Sequence, residues 1–214
     1  MQIVIPLYDR FTALDAVGPY EVLSRVPGAT VTFAGVEARE YTTDTGMLTI
    51  RADAALADVP SPEVIVVPGG PGSVEAAEDE ALIAWIRNAH ETTEWTTSVC
   101  TGAELLGAAG LLDGLDATTY WADMDMLARY GATATERRVV EQGKIVTAAG
   151  VSSGIDMALT LVARMTHEEV AKAVQLGIEY DPEPPFDSGS TRTASPETIA
   201  LVRATIAARD EAAA

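Results

Sequence analysis

One handover from strand to helix constrains this chain more than any other stretch. In Trp95-Thr96-Thr97-Ser98-Val99-Cys100-Thr101-Gly102-Ala103-Glu104-Leu105-Leu106-Gly107, the β-branched run up to Val99 reads as a short buried strand. From Ala103 the period changes, and Leu105, Leu106, Ala109 and Leu112 recur at helical spacing. The only cysteine of the chain stands at the turn between the two. Such a turn puts a side chain at the carboxyl edge of a sheet and aims the first free N–H groups of the helix at it. With the helix dipole, those groups favour a thiolate over a thiol. A lone cysteine is otherwise a small buried hydrophobe. Its position at a nucleophile elbow, followed by the small Gly102 and Ala103, makes Cys100 a candidate nucleophile.

Strands and helices alternate almost throughout, which predicts an α/β fold whose parallel sheet is covered by helices on both faces. Strands are expected at Gln2–Leu7, Ala29–Gly35, Glu63–Val67 and Ala117–Thr119, and a hairpin is expected between Gly46–Ile50 and the stretch around Tyr41. Further strands fall at Thr133–Thr135, Val139–Glu141 and Lys144–Thr147, with Gln142-Gly143 as a turn. Helices are expected at Thr12–Val26, Glu78–His90, Asp123–Tyr130, Ser152–Met165, Glu168–Ile178 and Glu197–Arg209. Ser152–Met165 reads as the most buried of them. Thr166 with Glu169 reads as a capping box for the next helix, and Ser195-Pro196 opens the last. Asp181-Pro182-Glu183-Pro184-Pro185-Phe186 must run extended or turn. The terminal alanines are expected to fray. Nothing repeats and no domain-sized linker intervenes, so residues 1–214 read as one domain.

The formal net charge is −18, from 14 Lys+Arg against 32 Asp+Glu, and only Lys144 and Lys172 are lysines. That surface repels nucleic acid and anionic membranes. The balance suits a protein adapted to high salt, where screening removes self-repulsion, or an ordinary acidic protein from a GC-rich genome. Met1-Gln2-Ile3-Val4-Ile5-Pro6 lacks the basic lead-in of a signal peptide, and no apolar run spans a bilayer, so a soluble, cytoplasmic protein is expected. One cysteine rules out an internal disulfide and a cysteine-rich zinc site.

Cysteine hydrolases usually pair the nucleophile with histidine. His90 precedes the Cys100 strand and should lie at the opposite sheet edge, and His167 sits at a helix start. Neither suits a Cys–His–Asp triad or a histidine-rich metal site. Asp15, after the first strand, is the better acid–base candidate, although a carboxylate in a first helical turn also serves the helix dipole. Burial beside a thiolate would raise its pKa and let it donate a proton near neutrality. Pro68-Gly69-Gly70-Pro71-Gly72 matches neither the phosphate-binding loop nor the dinucleotide fingerprint. It is either a plain connection or a loop whose backbone contacts substrate through Gly69 and Gly70. Thr101 offers a hydroxyl and the N–H that follows the nucleophile.

Several stretches together resemble the ThiJ/PfpI superfamily. They are Leu14-Asp15-Ala16-Val17-Gly18-Pro19-Tyr20-Glu21-Val22-Leu23, Val67-Pro68-Gly69-Gly70, Ser98-Val99-Cys100-Thr101-Gly102 and Gly150-Val151-Ser152-Ser153-Gly154-Ile155-Asp156. Leu106-Gly107-Ala108-Ala109-Gly110-Leu111-Leu112, Ala117-Thr118-Thr119 and Gln175-Leu176-Gly177-Ile178-Glu179-Tyr180 through Phe186 are most similar to its isonitrile hydratase branch. The resemblance implies a flavodoxin-like, doubly wound, mostly parallel sheet and a homodimer. It also implies Cys100 as nucleophile, Asp15 as its acid partner and Thr101 as a supporting hydroxyl. Gly69, Gly70, Tyr120 and Val151 are the candidates for contacting substrate or an oxyanion. Tyr120 stands where hydratases carry histidine, a departure that bears on substrate preference. The implied activity is addition of water to a small isonitrile with no metal or organic cofactor. Glyoxalase-like or deglycating chemistry on small carbonyls, and a thiol-based sensor, are the alternatives.

Overall fold

The computed structural model describes residues 1–213, and side chains as far as Arg209. The elements run β1 (Gln2–Leu7), α1 (Ala13–Leu23), β2 (Thr30–Gly35), β3 (Glu40–Thr42), β4 (Thr49–Arg51), β5 (Ala54–Ala55) and β6 (Val64–Val67). Then follow α2 (Ser73–Ala77), α3 (Glu80–Thr92), β7 (Trp95–Val99), α4 (Gly102–Ala108), β8 (Asp116–Ala117) and β9 (Thr133–Ala134). The chain ends with β10 (Val139–Gln142), β11 (Ile145–Ala148), α5 (Ser153–Met165), α6 (Glu168–Gly177) and α7 (Pro196–Ala213). Contacts divide it into two compact units, Met1–Ile178 and a second beginning at Glu179. The second unit begins just before the proline-rich arm Asp181–Phe186, whose three prolines interrupt any helix or ladder.

A seven-stranded sheet in the order β10-β11-β7-β6-β1-β2-β5 forms the centre of the first unit. Every pairing is parallel except that of β10 with β11. β6 is buried at all four positions and β1 at five of six, as continuous apolar runs in a doubly covered parallel sheet must be. Helices α1 and α5 pack together, and α3 packs with α4. From β1 the chain first moves outward to β2, then returns to place β6 on the other side. The loops after β1 and β6 therefore diverge at a topological switch point, the usual place for a ligand in such sheets. β3 and β4 form the expected hairpin.

Several expectations change in detail. The helix expected over Glu78–His90 is α3, which starts two residues later because Asp79 caps it by accepting from the N–H groups of Ala81 and Leu82, and a short helix that was not expected, α2, precedes it. The β10–β11 turn is Gly143-Lys144, because Gln142 still pairs with Ile145 and Gly143 takes the positive φ. Met124–Tyr130 winds as a 3₁₀ helix. Thr166 does not cap α6. Its hydroxyl donates to Val162 O at 2.6 Å and closes α5, and His167 occupies the cap position. The most buried helix is α4, buried at six of seven positions, rather than α5, where Ile155 and Leu159 stay half-buried. α4 is short and sits where Tyr130 and Ser73 both close over it. At the end, α7 continues through Ala213, and the last of the alanines expected to fray lies outside the described residues.

Candidate active site

Cys100 caps β7 in the left-handed region, at φ +57°, which is rare for a side chain other than glycine. Its backbone N–H reaches the carbonyls of Ala148 and Ala149 at 3.0 and 2.9 Å, and Thr119 Oγ1 donates to its carbonyl at 2.8 Å. Both backbone polar groups are thereby fixed, and the strained residue is held from two sides. Val151, just after β11, is also at positive φ (+26°) although it is β-branched. Its N–H and that of Thr101 both face the Cys100 sulfur. A strained elbow held against two N–H donors is the arrangement found where backbone strain serves chemistry.

The opposing group is Asp15, in the first turn of α1 and fully buried. One carboxyl oxygen accepts from Gly69 N–H at 2.9 Å, and the other, Oδ1, has no hydrogen-bond partner. Burial above all carries this carboxyl from its ordinary 3.8 up to about 7. The Gly69 N–H and then the Cys100 thiol oppose that rise, and the charge of Asp44 adds to it.

The thiol does not behave as the elbow alone implies. Burial first, and then the charge of Asp15, push Cys100 well above its ordinary value. The Val151 and Thr101 N–H groups pull it back only in part, and Asp123 raises it again. The expected free thiolate is therefore replaced by a buried thiol beside a carboxyl that titrates near neutrality. Helix-dipole reasoning omits the desolvation of a cysteine that is 5% exposed.

The glycine loop is also reassigned. Gly69 N–H is spent on Asp15, and Gly70 N–H donates to Thr101 Oγ1 at 2.8 Å. Thr101 Oγ1 donates in turn to Gly70 O at 3.1 Å. Both glycine N–H groups are engaged in these bonds, and the Thr101 hydroxyl braces the loop. These glycines are needed for close approach. A Cβ at Gly69 would sit 2.5 Å from Thr101 N, and one at Gly102 would sit 2.2 Å from Val67 O. Tyr120 is half-buried, lies against Gly150 and packs against Trp121 with ring centroids 5.6 Å apart and planes tilted by 54°.

Other site residues were not singled out from the sequence. Tyr8 is buried, and its hydroxyl donates to Pro68 O at 2.8 Å. Glu104, four residues after the cysteine, is 7% exposed and accepts from the buried Ser73 hydroxyl at 2.8 Å. Its signal was a carboxylate interrupting an otherwise apolar helix start. His90 lies at the amino end of β7, its Nδ1 2.8 Å from Thr96 Oγ1, about 13 Å of strand away from Cys100. His167 is exposed. Among the described residues, no group of three or more His, Cys, Asp or Glu is arranged to hold a metal ion, and no helix is long and apolar enough to cross a membrane.

Residues 1–164 match the DJ-1/PfpI family. The chain is 42% identical over 194 residues to an isonitrile hydratase of Pseudomonas putida, covering 91% of this chain and 85% of that protein. It is 32% identical to DJ-1 homolog A of Arabidopsis thaliana over 85% of this chain, and spans about half (47%) of that relative's length. The crystal structure of a ThiJ/PfpI family protein from Pseudomonas syringae superposes with a TM-score of 0.93 at 35% identity, covering 98% of this chain and 87% of the other. The sheet order, the elbow at Cys100 and these likenesses agree: the chain belongs to the DJ-1/PfpI family.

Proposed function

We propose that the protein is an isonitrile hydratase, converting R–N≡C and water to the N-substituted formamide R–NH–CHO. The observation that carries this reading is the buried Cys100–Asp15 pair, held at the sheet edge with both histidines elsewhere. Similarity to the Pseudomonas putida hydratase supports the same assignment.

An isonitrile carbon needs both a nucleophile and a proton. As the Cys100 sulfur bonds to that carbon, Asp15 takes the thiol proton and delivers it to the same carbon. The product is the thioimidate Cys100–S–CH=N–R, with no net charge created in the dry site. Water then adds to the C=N carbon while the nitrogen is protonated. Collapse of the tetrahedral adduct breaks the C–S bond, releases the formamide and returns the thiol. The Val151 and Thr101 N–H groups stabilise charge on sulfur as it forms and leaves.

The test is to mix purified protein with a simple alkyl isonitrile and follow the formamide by mass spectrometry. Turnover that disappears in Cys100→Ala and falls steeply in Asp15→Asn is the expected result. Full activity in Cys100→Ala rejects the mechanism. Absence of turnover in the wild type, with consumption of methylglyoxal instead, moves the assignment to carbonyl chemistry.

A further inference from the structure

The charges around the candidate site are nearly all of one sign. Asp15 and Asp123 act on the Cys100 sulfur, and Asp44 acts on Asp15. Glu104 registers at the hydroxyl of Tyr8, as do Asp15 and Asp44. The cations nearby are engaged. Arg129 opposes Glu104, Arg10 pairs with Glu75 at 2.8 Å, and Arg138 pairs with Asp156 beside the Val151 turn.

The backbone fixes two of these carboxylates beside the Cys100–Asp15 pair. Asp44 lies in the β3–β4 hairpin loop, where its N–H donates to Phe11 O at 2.9 Å and its carboxylate accepts from Thr12 Oγ1 at 2.9 Å. That places it over the start of α1, the helix that carries Asp15. Asp123 closes a turn through its N–H to Tyr120 O at 3.0 Å. The same turn is pinned to the elbow by Thr119 on Cys100 O, and Tyr120 rests against Gly150. Beside them lies the fully buried Asp15, whose Oδ1 has no hydrogen-bond partner and whose carboxyl is influenced by Cys100.

We propose that this site takes small isonitriles whose N-substituent is neutral or cationic and excludes those carrying a carboxylate, with Asp44 and Asp123 as the selecting residues. The proposal rests on the hydratase reading for its substrate and on the charge arrangement for its selectivity. A carboxylate brought near two like charges in a partly desolvated site is repelled, whereas an ammonium there is attracted. The aromatic pair Tyr120–Trp121, beside the same turn, suits a cationic or apolar substituent.

Two readouts separate this selectivity from the hydratase assignment. The first compares kcat/KM for butyl isonitrile, 3-isocyanopropionate and 3-(dimethylamino)propyl isonitrile. The carboxylate compound should be at least about tenfold poorer than the amine. Their ratio should move toward one in Asp123→Asn, in Asp44→Asn and in molar salt. The second needs no turnover. As Cys100 is the only thiol, its modification by trimethylammonioethyl and by sulfonatoethyl methanethiosulfonate is read directly as a mass shift. The cationic reagent should react at least about tenfold faster, with the same response to the two variants and to salt. Equal rates for the two reagents overturn the selectivity, as does equal kcat/KM for the charged isonitriles. A strong reagent preference without isonitrile turnover overturns the hydratase reading and keeps the charge-selective site.

Discussion

The two ends of β7 are built on opposite plans. At the amino end, Thr96 Oγ1 lies 2.8 Å from His90 Nδ1 and 2.7 Å from Thr93 Oγ1, and Lys144 Nζ donates to the carbonyls of His90 and Thr93. Each polar group there has a partner. Near the carboxyl end, Cys100 and Val151 are strained, Asp15 Oδ1 has no partner, and the hydroxyls of Ser98 and Ser153 are buried without one. One strand thus carries a satisfied network that stabilises and an unsatisfied site that stores strain. Local rules are broken around the proposed centre and kept elsewhere.

That contrast breaks most visibly in activity. Cys100→Ala should reduce isonitrile turnover at least about a thousandfold, and Asp15→Asn about 100- to 10,000-fold, both read by formamide release. Thr96→Val, at the satisfied end, should leave kcat within about twofold and lower stability by about 1–3 kcal/mol in urea denaturation, because it strands His90 Nδ1 and leaves the Thr93 hydroxyl with His90 O alone.

Stability should sharpen the same contrast. The folded pKa of Asp15 lies above its unfolded value, so the folded state binds the extra proton between pH 3.8 and about 7. Its contribution is most favourable below pH 3.8 and is lost as pH rises through about 7. A shift of roughly three units at 1.36 kcal/mol each makes the cost at pH 8 at most about 4 kcal/mol. Asp15→Asn should therefore melt higher than wild type at pH 8, and that advantage should vanish near pH 3.5. The pH profile follows from the same pair. The productive form holds one proton between Cys100 and Asp15, so kcat/KM should rise with pH through an apparent value near 7. It should hold until the thiol ionises, above its ordinary range. A profile already flat from pH 5 would reject an acid–base role for Asp15. The smallest effect concerns Val151→Gly. Relief of strain and added chain entropy should nearly cancel in stability, within about 1 kcal/mol, while kcat falls as the N–H loses its fixed aim at the sulfur.

Much of this was legible in the sequence because periodicity and punctuation carry it. The β-branched Glu63–Val67 run became the central parallel strand β6, and the change of period at Cys100 became the elbow. The separation of His90 from Cys100 followed from strand direction alone. What was not legible depends on where N–H vectors point and on how deeply a group is buried. Nothing in Pro68-Gly69-Gly70 says that its donors turn inward to Asp15 and Thr101. Nor does a helix start reveal that desolvation outweighs its dipole at Cys100. Tyr8 and Thr119 escaped because their roles lie in bonds to backbone carbonyls far along the chain.

The Cys100 sulfur meets an N–H from Val151, which lies beyond the edge hairpin β10–β11, and a carboxyl that follows the very first strand. The centre therefore has no local version. A chain still missing its β11–β7 pairing retains the cysteine but not the group that steadies it. During refolding, catalytic recovery should arrive only with closure of the whole sheet, as one late event rather than in proportion to helix content. Recovery of the proposed activity would then be a gauge of long-range assembly, and a nascent chain carries an exposed thiol with its ordinary acidity until the last strand of the sheet buries it.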